Sequence, residues 1–165
     1  WKKDVFNKYG FYDERLIRNQ DIELNKRIVR GGGHIFIVPD TYCTYLARET
    51  FDGLAKNNFG NGKWNILTVY YTKQFKSLSV RHFIPLLFLL SLIVPSILAC
   101  FYFPIGIISL ISLLLYIFLI SIISLSLALK KKLCFLYLMK AFVILHMSYG
   151  WGSLVGIINM IGYRK

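Results

Sequence analysis

Residues 83–103 read FIPLLFLLSLIVPSILACFYF, with no charged side chain among them. A hydrocarbon core about 30 Å thick is crossed by roughly 20 helical residues, so this stretch predicts a transmembrane helix. Pro95 predicts a kink, and Ser91, one turn earlier, is placed to satisfy the carbonyl that the proline frees. Pro104 and Gly106 predict a tight, uncharged turn. A second span follows at 105–129, ended by the lysines at 130–132, and a third, less purely apolar, at 133–162.

Charge divides the chain at about residue 82. The first 82 residues carry 14 basic and 8 acidic side chains; the remainder carries 6 basic and none acidic. A net charge of +12 invites a nucleic-acid reading, but the basic residues flank apolar spans. There they match the positive-inside bias and attraction to anionic headgroups, so nucleic acid is excluded as a partner and membrane lipid is expected. Basic residues before the first span and between the second and third place both on the cytoplasmic side. The chain then ends outside on Arg164 and Lys165, against the same rule; a truncated C-terminus or a re-entrant third segment removes the conflict. Cys43, Cys100 and Cys134 have no metal-binding spacing. The chain opens on Trp1, mid-pattern, and reads as the C-terminal piece of a larger protein.

The polar front reads differently. Residues 1–9 suit a short helix and 10–13 a turn. Asn19 is a favourable N-cap for a helix over 20–30, which carries Leu24 and Ile28 on one face and stops at the glycines 31–33. Residues 34–38 (HIFIV) predict a short strand, ended by Pro39 and Asp40. Between 50 and 75, Phe51, Leu54, Phe59, Trp64, Ile66, Leu67, Tyr70 and Tyr71 interleave with Lys56, Lys63 and Lys73, with Lys76 just beyond. That mixture predicts amphipathic helices over 51–82, lying in the headgroup plane. Residues 1–50 are too few to bury a core of their own.

Residues 10–40, GFYDERLIRNQDIELNKRIVRGGGHIFIVPD, resemble a stretch of the inverting family 2 glycosyltransferases. In that family a Gly-Phe-Asp-Glu turn leads into a Glu-Asp helix, which ends at glycine before a strand closing on proline. Gly10, Phe11, Asp13 and Glu14 fit the turn, with Tyr12 as one extra residue. Gln20 and Asp21 stand at the Glu-Asp pair. Arg18-Asn19-Gln20-Asp21, followed by Tyr45 and Arg48, is most similar to the succinoglycan-biosynthesis type. The resemblance implies an α/β fold: residues 1–50 as the C-terminal part of a GT-A catalytic domain, then an α-helical membrane domain of about three spans over 83–165.

It also implies site residues. Asp21 takes the family's general base, accepting the proton of the acceptor hydroxyl as it attacks the anomeric carbon. Its place in a first helical turn suits an ionised carboxylate, although that position equally suits an acid that only neutralises the helix end. Glu23 is expected to be solvated or supporting. Gln20, Arg48, Lys63 and Trp64 are candidate substrate and acceptor contacts. Lys63-Trp64 stands where membrane synthases carry Gln-x-x-Arg-Trp, with Gly60 in place of the Gln. Trp64 fits a membrane anchor as well, and Arg48 a surface pair with Glu49. His146, deep in the third span, is expected to bond another helix.

The implied activity moves a sugar from a nucleotide-sugar donor to a lipid-linked or growing saccharide acceptor at the cytoplasmic membrane face, in exopolysaccharide or cell-envelope glycan assembly. The resemblance further implies a divalent metal, Mg or Mn, held by residues upstream of Trp1. The alternatives are a polyprenyl-phosphate sugar synthase and a non-enzymatic basic membrane protein that binds anionic lipid or partner helices. Ser148, Gly152 and Gly156, at successive i, i+4 positions, predict a stripe packed on span one, span two or a second copy.

Overall fold

The structure, a computed structural model, describes residues 2–73 and 80–162. Trp1, Lys76, Arg164 and Lys165 lie outside the described residues. Six α-helices follow one another: α1 (Lys3–Tyr9), α2 (Gln20–Arg30), α3 (Phe51–Thr72), α4 (Ile84–Leu98), α5 (Gly106–Lys131) and α6 (Phe135–Gly162). Short 3₁₀ turns at Val80–Phe83 and Phe103–Ile105 precede α4 and α5.

The expected α/β GT-A fold is not formed: the described residues are 75% helix and contain no strand. Residues 34–38 form no regular secondary structure, and Phe36 and Ile37 are 83% and 92% exposed. The strand preference of Ile, Phe and Val is a preference for packing and pairing on a sheet surface, and nothing among the described residues offers that surface.

The ending of α2 follows the glycine run closely. The Gly32 N–H reaches the Val29 carbonyl at 3.1 Å and the Gly33 N–H the Ile28 carbonyl at 2.9 Å. With Gly32 at φ 79°, these bonds make a Schellman termination that satisfies otherwise orphaned carbonyls. Leu24 and Ile28 are both buried. The start of α2 departs from expectation. Asn19 sits at φ 65° and its side chain makes no capping bond, because that amide is engaged by another helix.

Among the described residues, three helical segments are long and apolar enough to cross a membrane: Val80–Leu98, Phe103–Lys131 and Phe135–Gly162. That is compatible with a membrane protein. Pro95 lies inside α4, but the Ser91 hydroxyl turns to the Phe88 carbonyl at 2.7 Å. Ser109 of α5 serves the proline gap instead, donating to Leu92 O at 2.9 Å and lying 3.4 Å from Ser91 O. On α6, His146 pairs with the Tyr116 hydroxyl of α5 at 3.1 Å. This is the expected helix-to-helix bond.

The principal packing joins α3 to α6. A Cβ added to Gly152 would run into the backbone carbonyl of Phe59, and one on Gly62 into that of Tyr149. One on Gly156 would stand 2.8 Å from Lys63 O. The small-residue stripe therefore faces α3, not a span or a second copy as expected; Ser148 instead bonds its own helix at Ile144 O. Close backbone approach in lipid depends on such residues, and which helix makes the approach is a long-range fact that spacing does not encode.

Candidate functional site

The start of α2 is clamped to the middle of α3 by two consecutive residues. The Arg18 guanidinium donates to Asn61 Oδ1 at 2.9 Å and to Asn57 O at 3.2 Å. It can do so because residue 60 is glycine: a Cβ there would lie 2.7 Å from Arg18 Cζ. Asn19 Nδ2 donates to Asn65 Oδ1 at 2.8 Å and reaches Thr68 Oγ1 at 3.3 Å. Thr68 Oγ1 donates in turn to the Trp64 carbonyl at 2.6 Å. Asn65 also donates from Nδ2 to the Tyr149 hydroxyl of α6. One amide thus ties the front segment, α3 and α6 together.

Asp21 occupies the first turn of α2, immediately beyond this clamp. It is exposed, and its carboxylate makes no hydrogen bond or ion pair with the described residues. Gln20 is turned inward, its amide donating to Leu16 O. Glu23 is the opposite case. It is 7% exposed and paired with Arg27 at 2.6 Å, so it is supporting rather than solvated. Arg27 in turn donates to the carbonyls of Tyr9 at 2.6 Å and Phe11 at 2.8 Å. This pair pins the turn at residues 10–15 to α2. In that turn, hydrogen bonds from Arg15 hold the Asp13 carboxyl below its ordinary pKa. The pair therefore contributes at neutral pH, and its contribution is lost as pH falls through that lowered value.

The clamp joins Arg18 and Asn19, which precede Gln20 and Asp21, to the stretch of α3 that carries Trp64. Lys63 and Trp64 are both half-buried, with the Lys63 backbone against Gly156. Arg48 is not part of the group. It is exposed on the extended segment before α3, beside Gly53, and Gly53 lies twelve residues, about 18 Å at the helical rise, from Asn65. Arg18, Asn57, Asn61 and Asn65 were missed by sequence reasoning. Their signal is the i, i+4, i+8 spacing of the three asparagines, which the lysines and aromatics of the same helix overshadow.

Asn65→Ala should remove both of its bonds and leave Tyr149 and Asn19 without that partner. Orphaned partners of this kind cost about 1–3 kcal/mol. The apparent melting temperature in detergent should fall by several degrees, and an unchanged value contradicts the bridging role.

Among the described residues no group of three or more His, Cys, Asp or Glu is arranged to hold a metal ion. The resemblance places the implied Mg or Mn on residues upstream of Trp1, not on these. Comparisons with protein-family models, curated proteins and solved structures found no match.

Proposed function

We propose that the chain is the acceptor-side portion of a membrane-bound inverting glycosyltransferase of the family 2 type. It moves a sugar from a nucleotide-sugar donor to a lipid-linked or growing saccharide acceptor at the cytoplasmic membrane face. The observation that carries this reading is the clamp itself. It fixes the start of the helix that carries an exposed carboxylate, Asp21, two residues beyond Asn19, whose amide bonds Asn65 next to Trp64. Two of the four residues that resemble the family's motif, Arg18 and Asn19, make the contact.

The chemistry asked of Asp21 is modest. An acceptor hydroxyl is a weak nucleophile until its proton has somewhere to go, and an ionised carboxylate within hydrogen-bond reach provides that place. Arg18 and Asn19 act as positioning residues, because displacement of a catalytic group by about 1 Å costs on the order of 10²-fold. Membrane lipid is the expected surroundings, and an indole beside a cation suits stacking on a sugar ring.

Asn19→Gly tests the positioning directly. Glycine retains the positive φ at no steric cost but deletes both amide contacts. Sugar transfer by the full-length protein should drop about tenfold or more, while expression and membrane insertion stay normal and the exposed variant Asp52→Asn keeps its rate. A wild-type rate for Asn19→Gly would remove the clamp from the mechanism.

A further inference from the structure

Three observations together bear on how α6 sits in the membrane. First, α3 runs alongside α6 in the same direction for nearly its whole length. Phe51 stacks on Tyr137 at 5.9 Å, Gly152 abuts Phe59, and Gly156 abuts Lys63 and Ile66. Further on, Val69 and Tyr70 line a cavity of about 490 Å³ with Ile157 and Met160. Second, α3 is polar on its far side, where Asn57, Asn61 and Asn65 bond Arg18 and Asn19. Arg15 also lies 5.6 Å from the Tyr71 ring centre. Third, the α6 face opposite α3 is open and, but for the exposed Lys140, apolar. Leu136, Val143, Trp151, Ile158 and Ile161 recur on that face at successive intervals of seven, eight, seven and three residues, all exposed.

The order across these helices is therefore front segment, α3, α6, then open apolar surface. A bilayer fits only on the last side. Were α6 to cross, α3 would cross beside it, about 33 Å long at the helical rise. It would carry Asp52, Lys56, three bonded asparagines and Arg18 into hydrocarbon, where charged and polar groups are costly. The remaining helices agree with this order. α6 meets α4 near its start, at Pro85 and Leu89, and α5 about its middle, at Tyr116 and Ser121. Val94, Ile97 and Leu98 of α4 and Ile107, Leu110 and Ile111 of α5 are exposed toward the turn that joins the two helices.

We infer that α6, despite its length and apolarity, lies along the membrane plane with α3 on its water side. Its face at Leu136, Val143, Trp151, Ile158 and Ile161 is immersed in the acyl region of one leaflet, and only the α4–α5 hairpin crosses. The face is continuous with the exposed apolar surface of that hairpin, and Trp151 is a residue type enriched at this depth. The arrangement also resolves the charge conflict. The end of α6 at Gly162 falls on the same side as the lysines at 130–132 and the basic front segment, as the positive-inside rule requires of the basic residues that follow it in the sequence.

Two measurements on the full-length protein test this, with Cys43, Cys100 and Cys134 replaced by serine. Single cysteines at Lys131, Pro104 and Gly162 are labelled with a membrane-impermeant maleimide before and after permeabilisation. Gly162→Cys should label with Lys131→Cys, on the side opposite Pro104→Cys; labelling together with Pro104→Cys overturns the inference. Spin labels at Leu136, Val143, Trp151 and Ile158, read by power saturation in nanodiscs, should report one common shallow depth. A depth that passes through the bilayer centre along the series overturns it as well. Neither measurement depends on sugar transfer.

Discussion

Asp21→Asn in the full-length protein should reduce sugar transfer by about 10²–10⁴-fold, the usual contribution of a positioned general base, while protein yield and membrane insertion stay at wild-type levels. The amide is isosteric with the carboxylate and keeps its place in the first turn of α2, so the clamp at Arg18 and Asn19 is untouched. What is lost is the ability to take a proton. Were Asp21 only a complement to the helix dipole, the same change would cost about 0.3–1 kcal/mol of stability and leave the rate within a few-fold. Comparing transfer rate with melting temperature separates the two roles. Glu23→Gln gives the contrasting pattern. The Glu23–Arg27 pair is largely buried and pins the turn at residues 10–15 through Arg27, so breaking it should lower stability first and activity only in consequence.

Gly152→Leu should give the largest loss of stability of any single change considered. The added side chain would meet the carbonyl of Phe59, a backbone atom of a packed helix that cannot rotate away. Relief requires α3 and α6 to separate along their shared length, losing the reciprocal contact at Gly62 and the Asn65–Tyr149 bond with it. Overpacking of this kind costs about 1–3 kcal/mol and sometimes more, and a bulky branched side chain against backbone belongs at the upper end. Even Gly152→Ala should destabilise, although alanine favours a helix by about 1 kcal/mol over glycine. Gly162→Ala supplies the control: nothing lies within 4 Å of a Cβ there, so it should be neutral or slightly stabilising. Equal melting temperatures for wild type and Gly152→Leu contradict the α3–α6 packing.

What could be read from the sequence were features that one segment carries by itself. The three apolar runs and the charge boundary near residue 82 need only length and composition. The end of α2 needs only the glycines at 31–33, whose backbone freedom selects the Schellman termination. Reading failed where a residue's role is set by a distant partner. Asn19 is a strong N-cap by type, yet its amide bonds Asn65 and Thr68 across more than forty residues of chain. Residues 34–38 have the composition of a strand, but a strand needs a ladder partner, and none stands among the described residues. The stripe of Gly152 and Gly156 announced a close helix contact without saying which helix makes it. For the candidate site, the position of Asp21 in a first turn was legible. The link from α2 to the turn of Trp64 was not, because it depends on Arg18 and on an asparagine stripe in a helix read for its lysines and aromatics. Arg48 was chosen by resemblance, and its local surroundings hold it apart.

The most direct measurement is transfer itself. The full-length protein, in nanodiscs with native membrane lipid, is incubated with a panel of radiolabelled nucleotide sugars. Release of the nucleoside diphosphate and appearance of label in lipid-extractable or polymeric product are followed together. The proposed function predicts that at least one donor gives both signals in step, and that Asp21→Asn abolishes both. Folded, inserted wild-type protein that releases no nucleoside diphosphate from any donor, or that transfers equally well with asparagine at position 21, would contradict it.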